Sequence, residues 1–197
     1  MKHPSVQELY DYWNLRRGLR AAPERADIEP GSIRRALADT FVIAFDERVG
    51  HPFRIAGTRV CAAFGRELKG APLLELWDRD SREQVRDLLT IVAHEAVGVV
   101  ADARGMSTEG SALDFELLIL PLRHRSRTDA RVLGALAPAE VPYWFGVSAL
   151  GQLSLGSTRY LAPNESNATR PPSRLVSSRP TSSRIRHGFV VYDGGGV

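Results

Sequence analysis

The side chains able to do chemistry are few in this sequence. Cys61 is the chain's sole cysteine, which excludes an internal disulfide and a cysteine-based zinc cluster. His51 falls in a turn between two predicted strands, and His124 falls at a strand end between Arg123 and Arg125. Neither has a second ligand at metal spacing, so no metal is expected. His94 and Glu95 are sequence neighbours on a predicted helix, and adjacent helical residues point in different directions, so they make no acid–base dyad. Asp78, Asp80, Glu83 and Asp87 gather at the start of that helix, where carboxylates complement the dipole. There is no nucleophile elbow, phosphate loop, dinucleotide fingerprint or kinase signature. The residues therefore point away from an enzyme.

The elements that would carry these side chains follow from periodicity. Ser5 to Leu19 reads as a helix with Val6, Leu9, Tyr10, Trp13 and Leu15 near one stripe and Ser5 as its cap. Leu9, Tyr10 and Trp13 need a partner surface, either the chain's own core or a second molecule, so they are candidate interface residues. A short helix is expected near Gly31 to Ala38. Strands are expected at Thr40 to Asp46 and Phe53 to Ala56, joined as a hairpin. A short helix follows at Arg59 to Phe64, then a loop broken by Gly70 and Pro72. Ser81 to Ala96 reads as the strongest helix, with a Ser81–Gln84 capping box and a stripe of Val85, Leu88, Leu89, Val92 and Ala96. Gly98 to Ala103, Leu113 to Arg123 and Arg131 to Ala137 complete a set of five strands. Short hairpin links favour an antiparallel sheet, with helices on one face.

Size and composition agree with a soluble protein. At 197 residues, 43% hydrophobic and 25% charged, the chain has room for one domain with tails. No signal-like or membrane-length apolar run is present, so a cytoplasmic location is expected. The net charge is +3, but Arg170 to Val197 carries five arginines and one acid, leaving the body near −1. Residues 1–39 read as a helical extension, 40–145 as the domain, 146–162 as an irregular or partly helical extension and 163–197 as a disordered tail rich in Arg, Ser and Pro.

The words in the sequence carry a resemblance. PFRIAGTRVCAAFGRELKGAPLLELW, from Pro52 to Trp77, resembles a bacterial PAS-like family in which Arg-x-Ala-Gly-Thr leads to Gly-Arg-Glu-Leu-x-Gly. The same family carries an upstream Trp, then Arg-Arg-Gly, then Pro-x-Arg-x-Asp-Ile-x-Pro; here these are Trp13, Arg16 to Gly18 and Pro23 to Pro30. The likeness covers about residues 5 to 145. It implies an α+β, five-stranded PAS-like fold and a signalling role in which the chain acts on a protein partner or on a second copy of itself.

The resemblance also implies a cavity between sheet and helices. Phe53, Ile55, Cys61, Phe64, Leu88, Val92, Phe115, Leu117 and Ile119 would line it, or would simply fill the core; the pattern is the same for both. A flavin photosensor would need a reactive cysteine near Gly70 to Leu73, and that stretch has none. Haem would need an axial ligand such as His94, which falls off the apolar stripe. No cofactor is expected. A small-molecule receptor is the first alternative, and nucleic-acid binding through the basic tail the second. The tail's lack of interleaved aromatics argues against the latter.

Overall fold

The computed structural model describes residues 1–124, 127–161, 185–186 and 189–190. The chain divides into two units, Met1–Asn164 and Glu165–Val197. In the second, Ile185–Arg186 pairs antiparallel with Phe189–Val190. The expected disorder of the tail lies otherwise outside the described residues.

The first unit is built on one antiparallel sheet. Helix α1 spans Pro4–Arg17, β1 Thr40–Ala44, β2 Phe53–Ala56, α2 Thr58–Ala63, α3 Arg79–Glu95, β3 Gly98–Ser107, β4 Ala112–His124, β5 Arg127–Pro138 and β6 Leu150–Leu161. The strands lie in the order β2-β1-β5-β4-β3-β6. The α+β class and the antiparallel sheet are as expected from the sequence. The strand number is not: residues 146–162, read as irregular or partly helical, supply the sixth strand. β6 pairs with β3 from Leu150↔Ser107 to Leu161↔Gly98.

Alternation along the strands sends side chains to two cores. Phe41, Ile43, Phe115, Leu117, Ile119 and Val132 face α2, α3 and the 3-10 turn Leu73–Leu76. Val42, Leu118, Leu120, Leu122, Leu133 and Ala135 face α1 and the segment that follows it. Helical cover is therefore present on both faces, because the N-terminal extension takes the second one. Val6, Leu9, Tyr12 and Trp13 are buried there. Leu9 and Trp13, read as possible interface residues, are buried against the chain's own sheet. Leu15, placed on the apolar stripe, is 77% exposed.

The caps differ from those expected. Helix α1 is capped by His3, whose Nδ1 accepts from the Ser5 N–H. Helix α3 begins two residues early because Asp78 accepts from the Ser81 N–H. Ser81 is thereby free for β6: its hydroxyl accepts from the Leu155 N–H at 2.8 Å, while the Asp78 N–H donates to Leu153 O.

Candidate functional site

The segment from Ala38 to Phe64 shows what the family-like words do physically. Gly57 precedes α2 and packs directly against the carbonyls of Leu37 and Ala38, where a Cβ would collide with backbone. The Ala38 carbonyl in turn accepts from the N–H groups of Arg59 and Val60. Arg59 then holds Asp39, which is fully buried, through two bonds of 2.9 and 2.8 Å. Such a paired carboxylate is satisfied, and removing its partner would leave a buried charge. Gly-Thr-Arg is thus a structural clasp between β1 and α2.

The upstream words make a second clasp. The Tyr12 hydroxyl donates to Asp27 O and accepts from the Glu29 N–H and Arg16 Nε. Arg20 pairs with Asp27, Arg16 with Glu29 and Arg123 with Glu24. Arg17 lies over the Trp13 ring, its guanidinium carbon 5.3 Å from the ring centre, and Arg16 lies over the Tyr12 ring at 5.1 Å.

The candidate cavity is the layer between the sheet and α2, α3 and Leu73–Leu76. Phe53, Phe64, Leu88, Val92, Phe115, Leu117 and Ile119 all enter that layer as buried core, and Cys61 packs at its margin. Ile55 does not: it is 47% exposed on the outer strand β2. Phe41, Phe53, Leu68, Trp77, Leu89, Leu117 and Ile119 are each under 2% exposed or nearly so, filling the layer with side chains. Two ring nitrogens in and beside it are not satisfied among the described residues. Trp77 Nε1 and His51 Nε2 are buried and meet no hydrogen-bond partner among the described residues. Neither was legible as a special group in the sequence, because satisfaction depends on tertiary neighbours.

Cys61 sits on α2 with Sγ 3.6 Å from Glu67 Oε1 and 4.0 Å from Ala56 O. Burial, with Glu67 beside it, pushes the thiol up, the opposite of an activated nucleophile. The stretch Gly70 to Leu73 has no cysteine, so these residues do not fit a covalent flavin adduct. His94 is exposed, its ring edge-on to Phe45 at 5.9 Å, and does not fit an axial haem ligand. Among the described residues no group of three or more His, Cys, Asp or Glu side chains could share a metal ion. No described helix is long and apolar enough to cross a membrane.

The face that α1 covers also carries a groove of about 720 Å³, lined by Lys2, Asp102, Arg104, Asp114, Glu116 and Ser157 among others. Its carboxylates are occupied. Asp102 accepts from the Ser157 hydroxyl at 2.6 Å and Lys2 Nζ at 3.1 Å, and these two hold it below the usual carboxylate range. Asp114 pairs with Arg104 at 3.4 Å. Glu116 is buried and accepts from the backbone N–H groups of Lys2 and His3. The network anchors the start of α1 to β3, β4 and β6.

Among curated proteins, none matches the chain significantly. Solved structures that align with it include the LOV protein of Rhodobacter sphaeroides, at 14% identity and a TM-score of 0.42, covering 52% of this chain and 59% of that one. An RNA-binding light-oxygen-voltage receptor aligns at 18% identity and a TM-score of 0.42, covering 59% of this chain and 35% of that one. The chain thus spans less than two thirds of the length of either. A family profile described as PAS domain matches residues 1–137. With the antiparallel sheet, the intervening short helices and that match, the chain belongs to the PAS domain family.

Proposed function

We propose that this chain is a sensory and interaction module of signal transduction that acts by docking a protein partner or a second copy of itself, without catalysing a reaction. The observation that carries the reading is the turn between β5 and β6. Val141, Tyr143 and Val147 stand 63%, 97% and 86% exposed, while Trp144 and Phe145 on the same turn pack against the core. Inward aromatics fix the turn, so the outward ones are presented at little entropic cost. Exposed tyrosine on a rigid support is a common binding anchor. The Leu9 and Trp13 face is already filled, whereas this turn presents three apolar side chains outward within seven residues.

The test is the paired substitution Tyr143→Ser and Val147→Ser. Both sites are exposed, so the fold should lose under about 0.5 kcal/mol. Self-association measured by sedimentation, or binding to a partner identified by cross-linking from position 143, should weaken at least about tenfold. Unchanged association in the variant would reject the turn as the contact. A strictly monomeric chain with no cross-linked partner would reject the reading.

A second reading, a small-molecule receptor, is favoured by Trp77 Nε1, a buried donor in the α3 layer without an acceptor among the described residues. A ligand seated there would bring an acceptor atom. Native mass spectrometry of gently purified protein decides it: a retained small mass supports the receptor, and a bare chain opposes it.

A further inference from the structure

We propose that His51 is a pH-operated latch: protonation of its ring releases the Asp46 amide and loosens the strap that seats the segment leading into α3. The latch stands apart from which partner the protein docks.

The geometry carries it. His51 ends the β1–β2 turn, is fully buried, and has a left-handed backbone at φ 60°. It closes the turn twice. Its N–H donates to Asp46 O at 2.8 Å, and its Nδ1 accepts from the Asp46 N–H at 3.2 Å. An Nδ1 that accepts carries no proton, so the neutral ring holds its proton on Nε2. That Nε2 is buried and finds no acceptor among the described residues. The ring lies against Phe45, with centroids 4.8 Å apart.

The turn holds more than itself. His51 O accepts from the Leu73 N–H and Gly50 O from the Leu74 N–H, and Pro52 bridges Pro72. Leu73, Leu74 and Leu76 are buried core residues, and Trp77 and the cap Asp78 follow directly. When Nδ1 takes a proton from solvent, Nε2 keeps its own and the ring has no lone pair left. The Asp46 N–H then loses its acceptor, and two buried donors face each other.

The surrounding charges do not cancel this. Asp46 and Glu47, on the same turn, favour the cation; Arg86, from α3, opposes it. His94, also on α3, lies edge-on to the same Phe45 ring at 5.9 Å. Pro72 to Leu74, packed beneath, bring no ionisable side chain. Burial is the largest influence and lowers the ring's pKa below its ordinary value.

The experiment is an NMR titration of the full chain from about pH 7.5 to 4.5, following the His51 ring nitrogens and amide exchange at Asp46 and Leu73. The expected result is a proton on Nε2 at the upper end. As His51 titrates, protection at Asp46 and Leu73 should fall together by about tenfold or more. In His51→Asn, whose side-chain carbonyl can accept without titrating, protection at both amides should stay flat with pH. A neutral ring protonated on Nδ1 would overturn the latch. So would Asp46 protection that stays constant while His51 titrates; the wild-type chain alone decides this, should the variant not fold.

Discussion

On the face covered by α1, Trp13 donates its indole N–H to Pro121 O at 2.8 Å. On the face covered by α3, Trp77 is equally deep, 1% against 3% exposed, and its indole N–H has no acceptor among the described residues. The same residue type thus closes one core and leaves a polar end open in the other. The α1 face is completed elsewhere too, with the Tyr12 hydroxyl used as both donor and acceptor. The α3 face keeps both Trp77 and His51 incomplete. Buried groups that are paired resist rearrangement. A face with unpaired donors has something to gain from a ligand, a water or a shift of packing.

Substitutions can break that contrast or sharpen it. The largest effect should come from Trp13→Ala, which removes an aromatic anchor and leaves the Pro121 carbonyl unpaired. About 4 kcal/mol of stability should disappear in urea unfolding. A loss below about 1 kcal/mol would show that α1 is not an integral layer. The finer comparison uses phenylalanine at both tryptophans. Trp13→Phe gives up a made hydrogen bond and should cost about 2 kcal/mol; Trp77→Phe gives up none and should cost clearly less, beyond the shared loss of volume. Equal costs would mean that Trp77 has an acceptor in solution.

The smallest effect should be that of pH on the α3 face. The unfolded His51 ring titrates near 6.5 and the folded ring lower. Between those two values the unfolded chain binds more protons, so this contribution is complete above about pH 6.5 and is lost as pH falls toward the folded midpoint. Stability should therefore fall as pH drops through that window, and His51→Asn should remove the slope. A wild-type stability that rises on acidification through this window would break the assignment.

The elements with strong periodicity were legible in the sequence. Helix α3 and the alternation of Phe115, Leu117 and Ile119 against Asp114 and Glu116 stood out because one side of each element is buried and the other is not. β6 did not stand out. Of Leu150 to Leu161 only Leu150 and Leu153 are fully buried, and Gly, Ser and Thr fill much of the rest. An outer strand with one neighbour needs little apolar surface, so it carries little signal. Of the cavity candidates, all but Ile55 are packed in or against the core beneath α3, and the exposure of Ile55 on an outer strand is something no local pattern reveals. The two unpaired donors were invisible for a different reason: a residue's type declares what it can bond, never whether a partner will be there.

The sixth strand has a practical consequence for handling the protein. Without it, β3 would end the sheet, and Val99, Val100 and Ala101 are buried on their two faces by neighbours that include β6. A chain cut at residue 137, where the family match stops, would offer that apolar edge to any other strand in solution. Solubility on expression should therefore depend on keeping the chain through Leu161, whose Gly-, Ser- and Thr-rich strand acts as the sheet's selvedge.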